Sequence, residues 1–231
     1  MTDKRPFISL ILLGGGLGKR MGKSFPKQFL ALKGKPLMLH SFDAFLHFSF
    51  IDEMILVCPE EYRSLFSSDK KKQISFADPG EMRQESLARG MEKLFSGSTL
   101  TIIHDAVRPF IEEKALVELI QVAQEMGAAT LGLPVTSTIK ECTAEKEVVQ
   151  TLQRDNLWEI QTPQAIKTPL LKEALSLAKK NHSLVTDDVS LVELMQQKVR
   201  VVMGYHHNIK ITYPMDLFFA EQIYEQKEKK I

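Results

Sequence analysis

The stretch Phe7-Ile8-Ser9-Leu10-Ile11-Leu12-Leu13-Gly14-Gly15-Gly16-Leu17-Gly18-Lys19-Arg20-Met21-Gly22-Lys23 decides the fold. A short apolar run leads straight into glycines and cations, which is the pattern of a buried strand ending in an anion-holding turn. Glycines let backbone N–H groups close on an anion, and Lys19, Arg20 and Lys23, joined by Lys27 in Pro26-Lys27-Gln28, supply the charge a triphosphate needs. Four of the five residues from 14 to 18 are glycine and four cations lie between positions 19 and 27, which favours anion binding over a plain turn with exposed lysines. Neither common nucleotide motif is met. A Walker loop ending at Gly22-Lys23-Ser24 needs glycine where Leu17 stands, and a dinucleotide fingerprint starting at Gly14 needs glycine where Lys19 stands.

Outward from this strand, short apolar runs alternate with stretches of helical period, as in βαβ units and a mostly parallel twisted sheet with helices on both faces. Strands are expected at Phe7 to Leu13, Met54 to Cys58, Gln73 to Phe76, Leu100 to Ile103, Ala129 to Pro134 and Arg200 to Met203. Met38, Phe42, Phe45 and Leu46 share one helical face, and Leu116, Leu119, Ile120 and Ala123 another. Ser183 to Asp188 reads as a Thr cap with acids ahead of a helix over Val189 to Gln197, and Pro214 is placed to open a last helix that frays into Glu225 to Lys230. Thr136 to Gln153 departs from the pattern. Thr, Lys and Glu alternate there with Ile and Val, which predicts a projecting hairpin, and an isolated hairpin is marginal in water unless a partner covers it.

At ~150 residues per domain the 231 residues make about one and a half domains. The expectation is one α/β domain over 1–231 with 136–153 as a dimerisation arm. Hydrophobic residues are 44% and charged residues 26%, which is ordinary globular usage. The net charge of +1 argues against a broad nucleic-acid face. Cys58 and Cys142 form no CxxC or Cys/His cluster, so a reducing, cytoplasmic setting fits better than a disulfide or zinc framework. The longest stretch free of Asp, Glu, Lys and Arg, Met126 to Ile139, has 14 residues, whereas a membrane span needs about 20. No membrane partner is expected.

Two further clusters fall where open α/β sheets collect ligands, after the carboxyl ends of strands. His104-Asp105-Ala106-Val107-Arg108-Pro109 offers a carboxylate able to hold Mg²⁺ against phosphates and an arginine able to grip an anion. Alone, the same residues read as a helix cap and a surface ion pair. Gly80-Glu81-Met82-Arg83-Gln84-Glu85-Ser86 offers a backbone turn and a hydroxyl that can read a base, or simply a capped helix. His206-His207 are adjacent and so unsuited to joint metal ligation, and no G-x-S-x-G elbow points to a hydrolase.

In this order, the glycine loop, Pro26-Lys27-Gln28, His104-Asp105-Ala106, Gln161-Thr162-Pro163-Gln164, Thr186-Asp187-Asp188 and Asn208-Ile209-Lys210 resemble the 2-C-methyl-D-erythritol 4-phosphate cytidylyltransferases over nearly the whole chain. The resemblance implies a Rossmann-like nucleotidyltransferase fold with a protruding β-arm that pairs two subunits. It also implies transfer of a cytidylyl group from CTP to a methylerythritol phosphate, with Mg²⁺ and release of pyrophosphate, in the non-mevalonate route to isoprenoids. Carried over by position, it assigns phosphate holding to Gly14, Gly15, Gly16 and Gly18, and gives Arg20 and Lys27 the neutralising charges. Gly80, Glu81 and Ser86 would read the base, Asp105 and Ala106 would lie against CTP with Asp105 on the metal, and Lys210 would stand near the α-phosphate. Arg108, Thr162, Thr186 and Asp187 would hold the second substrate, with Thr138 and Arg154 contributed by the other subunit's arm.

The chain departs from the family pattern in three places. Gly14 and Gly15 stand where many members have two alanines, Pro79 where a second glycine commonly precedes Gly80, and Val107 where a small residue is common. Val107 is shared with the ribitol-phosphate cytidylyltransferases, the alternative reading. Arg154-Asp155-Asn156-Leu157-Trp158 and Thr186-Asp187-Asp188 look more like the methylerythritol branch. A non-catalytic nucleotide-binding regulator on the same fold is a third reading, and the joint presence of Arg20, Lys27, Asp105 and Lys210 speaks against it.

Overall fold

The structure is a computed structural model that describes residues 5–16, 26–66 and 72–228. Seven strands form one sheet. They are β1 (Ile8–Leu13), β4 (Glu53–Val57), β5 (Gln73–Ala77), β6 (Leu100–Asp105), β7 (Ala128–Pro134), β10 (Trp158–Lys167) and β11 (Arg200–Met203), in the order β11-β7-β10-β6-β1-β4-β5. Two small antiparallel pairs complete the numbering: β2 (Ala31–Leu32) with β3 (Lys35–Pro36), and β8 (Lys140–Cys142) with β9 (Val148–Thr151).

The near-continuous apolar runs of the central strands follow from burial on both faces. Ile8, Leu10 and Leu12 of β1, Met54 and Leu56 of β4 and Leu100 and Ile102 of β6 pack on one face under α1 (Leu37–His47) and α3 (Glu113–Met126). The alternate residues Ile11, Leu13, Ile55, Val57 and Ile103 pack on the other under α2 (Arg83–Met91), α4 (Thr168–Lys180) and α5 (Ser190–Glu193). The two expected helical faces are the buried ones: Met38, Phe42 and Phe45 in α1, and Leu116, Leu119, Ile120 and Ala123 in α3. Pro214 opens α6 (Pro214–Glu228), which packs Leu217 and Ala220 on Leu32, Leu37 and Ile211.

Six strands run parallel and β10 runs antiparallel between β6 and β7. This central strand was not among those expected, because Pro163 interrupts its sequence and proline within a run counts against an interior strand. The structure resolves the conflict with a register shift between Gln161 and Gln164 that spans a cis Thr162–Pro163 bond, so the proline sits where the ladder is already open. A second correction concerns the helix expected over Val189 to Gln197. α5 covers just Ser190–Glu193, and the Asp187 carboxylate, not Thr186, accepts the Ser190 N–H at 3.2 Å.

Thr136 to Gln153 does form a two-stranded ribbon, β8 with β9, in register Lys140↔Thr151 and Glu141↔Gln150. All seven strand residues of the ribbon are exposed, and Val148 and Val149 are each 59% exposed. Among the described residues no helix is long and apolar enough to cross a membrane.

The chain runs from β1 outward to β4 and β5, then crosses back to β6 on the other side of β1. Loops leaving the carboxyl ends of β1 and β6 therefore part at that point, which is where open sheets bind ligands.

Candidate active site

Two cavities meet at that point. The first, of about 370 Å³, is walled by Gly14 to Gly16 after β1, by Lys27, by Gly80 to Arg83 and Ser86 at the start of α2, and by Asp105, Val107 and Lys210. The second, of about 360 Å³, is walled by Arg108, Thr130, Thr162, Gln164, Thr186 and Asp187 among others. Arg83, Asp105 and Lys210 belong to both.

Asp105 ends β6 and is 5% exposed. Its Oδ1 is paired with Arg83, its Oδ2 lies 2.8 Å from Lys210 Nζ and 3.6 Å from Arg108 Nε. Burial alone would raise its pKa. The charges of Arg83, Lys210 and Arg108 outweigh that, so the carboxyl is held well below the usual carboxylate range and stays ionised. Lys210 is delivered by its neighbours: the buried Asn208 donates to Thr162 O at 2.8 Å, and the Ile211 N–H donates to Val107 O at 3.0 Å. Lys27 donates to Ile211 O at 2.8 Å, and the buried Gln28 next to it donates to Gly14 O, so the Pro-Lys-Gln segment braces the glycine turn.

The loop that leads into α2 is tied down by side chains of the helix's first turn, without a side-chain cap at Met82. Gly80 N–H donates to Ser86 Oγ at 2.9 Å, Ser86 Oγ donates to Met82 O at 3.1 Å, and Glu81 N–H donates to Glu85 Oε2 at 2.8 Å. These bonds fix the loop's shape and leave the Gly80 and Glu81 N–H groups already bonded.

Under Asp105 lies a support that sequence reasoning did not single out. The Asp105 N–H donates to Thr162 Oγ1 at 3.0 Å, Thr162 Oγ1 is 3.1 Å from His104 Nδ1, and His104 Nε2 is 2.9 Å from Arg108 O. A carbonyl can only accept, so Nε2 carries the proton and Nδ1 accepts from the Thr162 hydroxyl. His104 is fully buried, and burial pushes its pKa down to about 4. Between pH 6.5 and 4 the unfolded chain takes up a proton that the folded chain refuses, so stability is lost as pH falls through this window. At pH 5 the loss from this residue is about 2 kcal/mol relative to neutral pH. Urea unfolding at pH 7 and pH 5 should show it, and the difference should shrink by that amount in His104→Gln.

Gly15 and Pro79 explain each other. A Cβ on residue 15 would lie 2.3 Å from Pro79 Cβ. The ring of Pro79 fills the space that a side chain at 15 would need, so two of the departures from the family pattern meet at one contact. Gly15→Ala alone should cost about 1–3 kcal/mol through overpacking, and adding Pro79→Gly should recover most of it. Thermal unfolding of the two single variants and the double variant measures the coupling, and additive losses would refute it.

The remaining expected residues are placed as follows. Gly14, Gly15, Gly16, Lys27, Gly80, Glu81, Ser86, Asp105 and Lys210 come together in the first cavity, and Arg108, Thr162, Thr186 and Asp187 in the second. Gly18 and Arg20 lie outside the described residues. Ala106 is fully buried, gives its N–H to Leu13 O at 3.0 Å and lines neither cavity, and Val107 faces the first cavity instead. Thr138 and Arg154 are exposed at the arm and line neither cavity, and Arg154 Nη1 donates to Thr136 O at 2.6 Å. His206 and His207 are not on a strand, and His207 Nε2 is 2.6 Å from Glu112 Oε1. Among the described residues no group of three or more His, Cys, Asp or Glu is placed to hold a metal ion.

A glycine turn after β1, an ionised carboxylate ending β6, and Lys27 and Lys210 on the walls of two adjoining cavities suit nucleotidyl transfer. A family model described as 2-C-methyl-D-erythritol 4-phosphate cytidylyltransferase matches residues 8–226. The chain belongs to that family. It is 40% identical over 227 residues to the chloroplastic enzyme of that name from Oryza sativa, covering 97% of this chain and 76% of the relative. The Chlamydia trachomatis serovar L2 enzyme of that name is 41% identical over 215 residues, covering 93% of this chain and 94% of the relative. The crystal structure of the 4-diphosphocytidyl-2C-methyl-D-erythritol synthase of Anaerococcus prevotii has a TM-score of 0.84 and 28% identity, covering 96% of this chain and 100% of that one.

Proposed function

We propose that the two cavities are one active site, in which this chain transfers the cytidylyl group of CTP to 2-C-methyl-D-erythritol 4-phosphate. The products are 4-diphosphocytidyl-2-C-methyl-D-erythritol and pyrophosphate, as the non-mevalonate isoprenoid pathway requires. The observation that carries this reading is the shared wall: Arg83, Asp105 and Lys210 face both cavities. CTP occupies the first cavity with its triphosphate over Gly14 to Gly16 and Lys27, and Gly18 and Arg20 extend that loop. Gly80, Glu81 and Ser86 face the cytosine, with the loop's carbonyls as its readers because its N–H groups are spent. The methylerythritol phosphate occupies the second cavity against Arg108, Thr162, Thr186 and Asp187. A phosphate oxygen of the second substrate attacks the α-phosphorus, one P–O bond forms, the bond to the β-phosphate oxygen breaks, and pyrophosphate leaves with the electron pair. The attacking phosphate is already an anion, so no general base is needed. The chain's task is alignment and neutralisation of charge on the phosphoryl oxygens.

Asp105 suits Mg²⁺ in the mode that uses one carboxylate, with substrate phosphates and water completing the shell. Its place on the cavity floor and its ionised state support this. Such an ion would neutralise triphosphate charge. Asp105→Asn keeps the size and one acceptor oxygen but removes the negative charge, so it should raise the Mg²⁺ concentration for half-maximal pyrophosphate release by more than about tenfold. Unchanged Mg²⁺ dependence would refute the metal role. The reaction itself is tested by pyrophosphate release from CTP with methylerythritol phosphate and, separately, ribitol 5-phosphate. Activity with the second alone would favour the sibling reaction, and CTP binding without release would favour the regulator.

The chain works as a homodimer joined through the 136–153 arm, in the cytoplasm, where Cys58 and Cys142 stay free thiols. Arg154 and Thr138 line neither of the two cavities, which supports their service in the partner's site.

A further inference from the structure

Arg83 has no assigned role, yet its guanidinium ties Asp105, on the wall of both cavities, to Asp188 in the loop behind the second. It opens α2, and its Nη1 is paired with Asp105 Oδ1 while its Nη2 is 2.5 Å from Asp188 Oδ2. Asp188 is 2% exposed and lines neither cavity, although its neighbours Thr186 and Asp187 wall the second one. Its backbone N–H is held by Gln164 Oε1 at 2.9 Å, and its carboxylate is turned inward onto Arg83. Pairing charges at this depth is a poor source of stability compared with apolar packing. What a planar fork with two bonded edges does supply is a fixed distance between the two carboxylates it grips, which a lysine cannot reproduce.

We infer that Arg83 is a positioning residue that sets the separation and orientation of the two substrates, by tying the Asp105 carboxylate of the nucleotide cavity to the 186–188 loop of the second cavity. The inference rests on the reading of Asp105 and of the second cavity given above. It implies that Asp188, which faces no substrate, affects the chemical step through Arg83 alone. Misplacement of bound reactants by about an ångström costs about a hundredfold in rate, so Arg83→Lys and Asp188→Asn should each lower kcat by about that factor. For Asp188→Asn, whose residue lines neither cavity, CTP binding measured calorimetrically without the second substrate should change by less than about threefold, because the glycine turn and Lys27 remain.

The decisive measurement is the cycle of Arg83→Lys, Asp188→Asn and the double variant, assayed well below each variant's unfolding temperature. If the two residues act as one link, the double variant loses no more than either single one. Losses that multiply to about ten-thousandfold, or an Arg83→Lys variant with wild-type kcat, would overturn the inference. Should Asp188→Asn not fold, Asp188→Glu takes its place, since the longer side chain keeps the charge and moves the loop. A wild-type chain inactive on CTP and methylerythritol phosphate would instead refute the underlying reading, so the two failures are distinguishable.

Discussion

Lys210→Ala is expected to lower kcat by about a hundred- to a thousandfold while leaving the fold in place, because a preformed charge aimed at developing oxyanion charge counts mainly in the transition state. The side chain is 39% exposed, stands on the wall shared by both cavities, and lies 2.8 Å from Asp105. Its removal takes away little packing. The backbone on either side is fixed independently, by Asn208 on Thr162 and by Ile211 on Val107, so the melting temperature should move by no more than a few degrees. The same comparison for Lys27→Ala should give a smaller loss, since Lys27 lines the nucleotide cavity alone. Steady-state turnover beside thermal unfolding separates the two effects. A purified, folded Lys210→Ala enzyme with normal kcat would remove Lys210 from the chemistry.

The parts of this protein visible in its sequence are those where one residue type answers one physical demand. β1, β4 and β6 are buried on both faces, so they read as largely apolar runs, and the glycine turn follows the first while Asp105 ends the last. β10 was hidden because its identity as a central strand depends on a register shift and a proline that only the folded sheet accommodates. The short α5 was overestimated for a related reason: Val189, Leu191 and Val192 are buried at helical spacing, but the helical turn they share stops at Glu193. The site shows the same division. Lys27 and Asp105 announce themselves as charges near the glycine loop and at a strand end, whereas Lys210 is reached through the family resemblance. Arg83 lay inside a quoted cluster without a role, because its meaning depends on Asp105 and Asp188, 22 and 105 positions away. His104 likewise looked like part of a motif, and its function as a neutral prop under Asp105 emerges from Thr162, 58 positions distant. The Gly15 and Pro79 departures, unremarkable apart, become one feature only when their carbons are placed side by side.

Mixing an Arg154→Ala subunit with a Lys210→Ala subunit is expected to restore activity that neither parent has. Arg154 sits at the base of the ribbon, exposed and bonded to Thr136 O, and reaches neither cavity of its own chain. The ribbon carries Val148 and Val149 outward, and Trp158 and Ile160 beside its base are 37% and 36% exposed, an apolar surface suited to a twofold partner. If the arm crosses to the neighbour, each active site draws Lys210 from one chain and Arg154 from the other. A mixed dimer then holds one site with both residues intact and one with neither. With random exchange about half of the dimers are mixed and each has one working site of two, so activity should approach about a quarter of wild type. Were Arg154 to serve its own chain, every site in the mixture would lack one residue and activity would stay at the parents' level. A mixture shown to exchange subunits that never exceeds its parents would refute the crossed arm, and a monomer at assay concentration would refute the dimer.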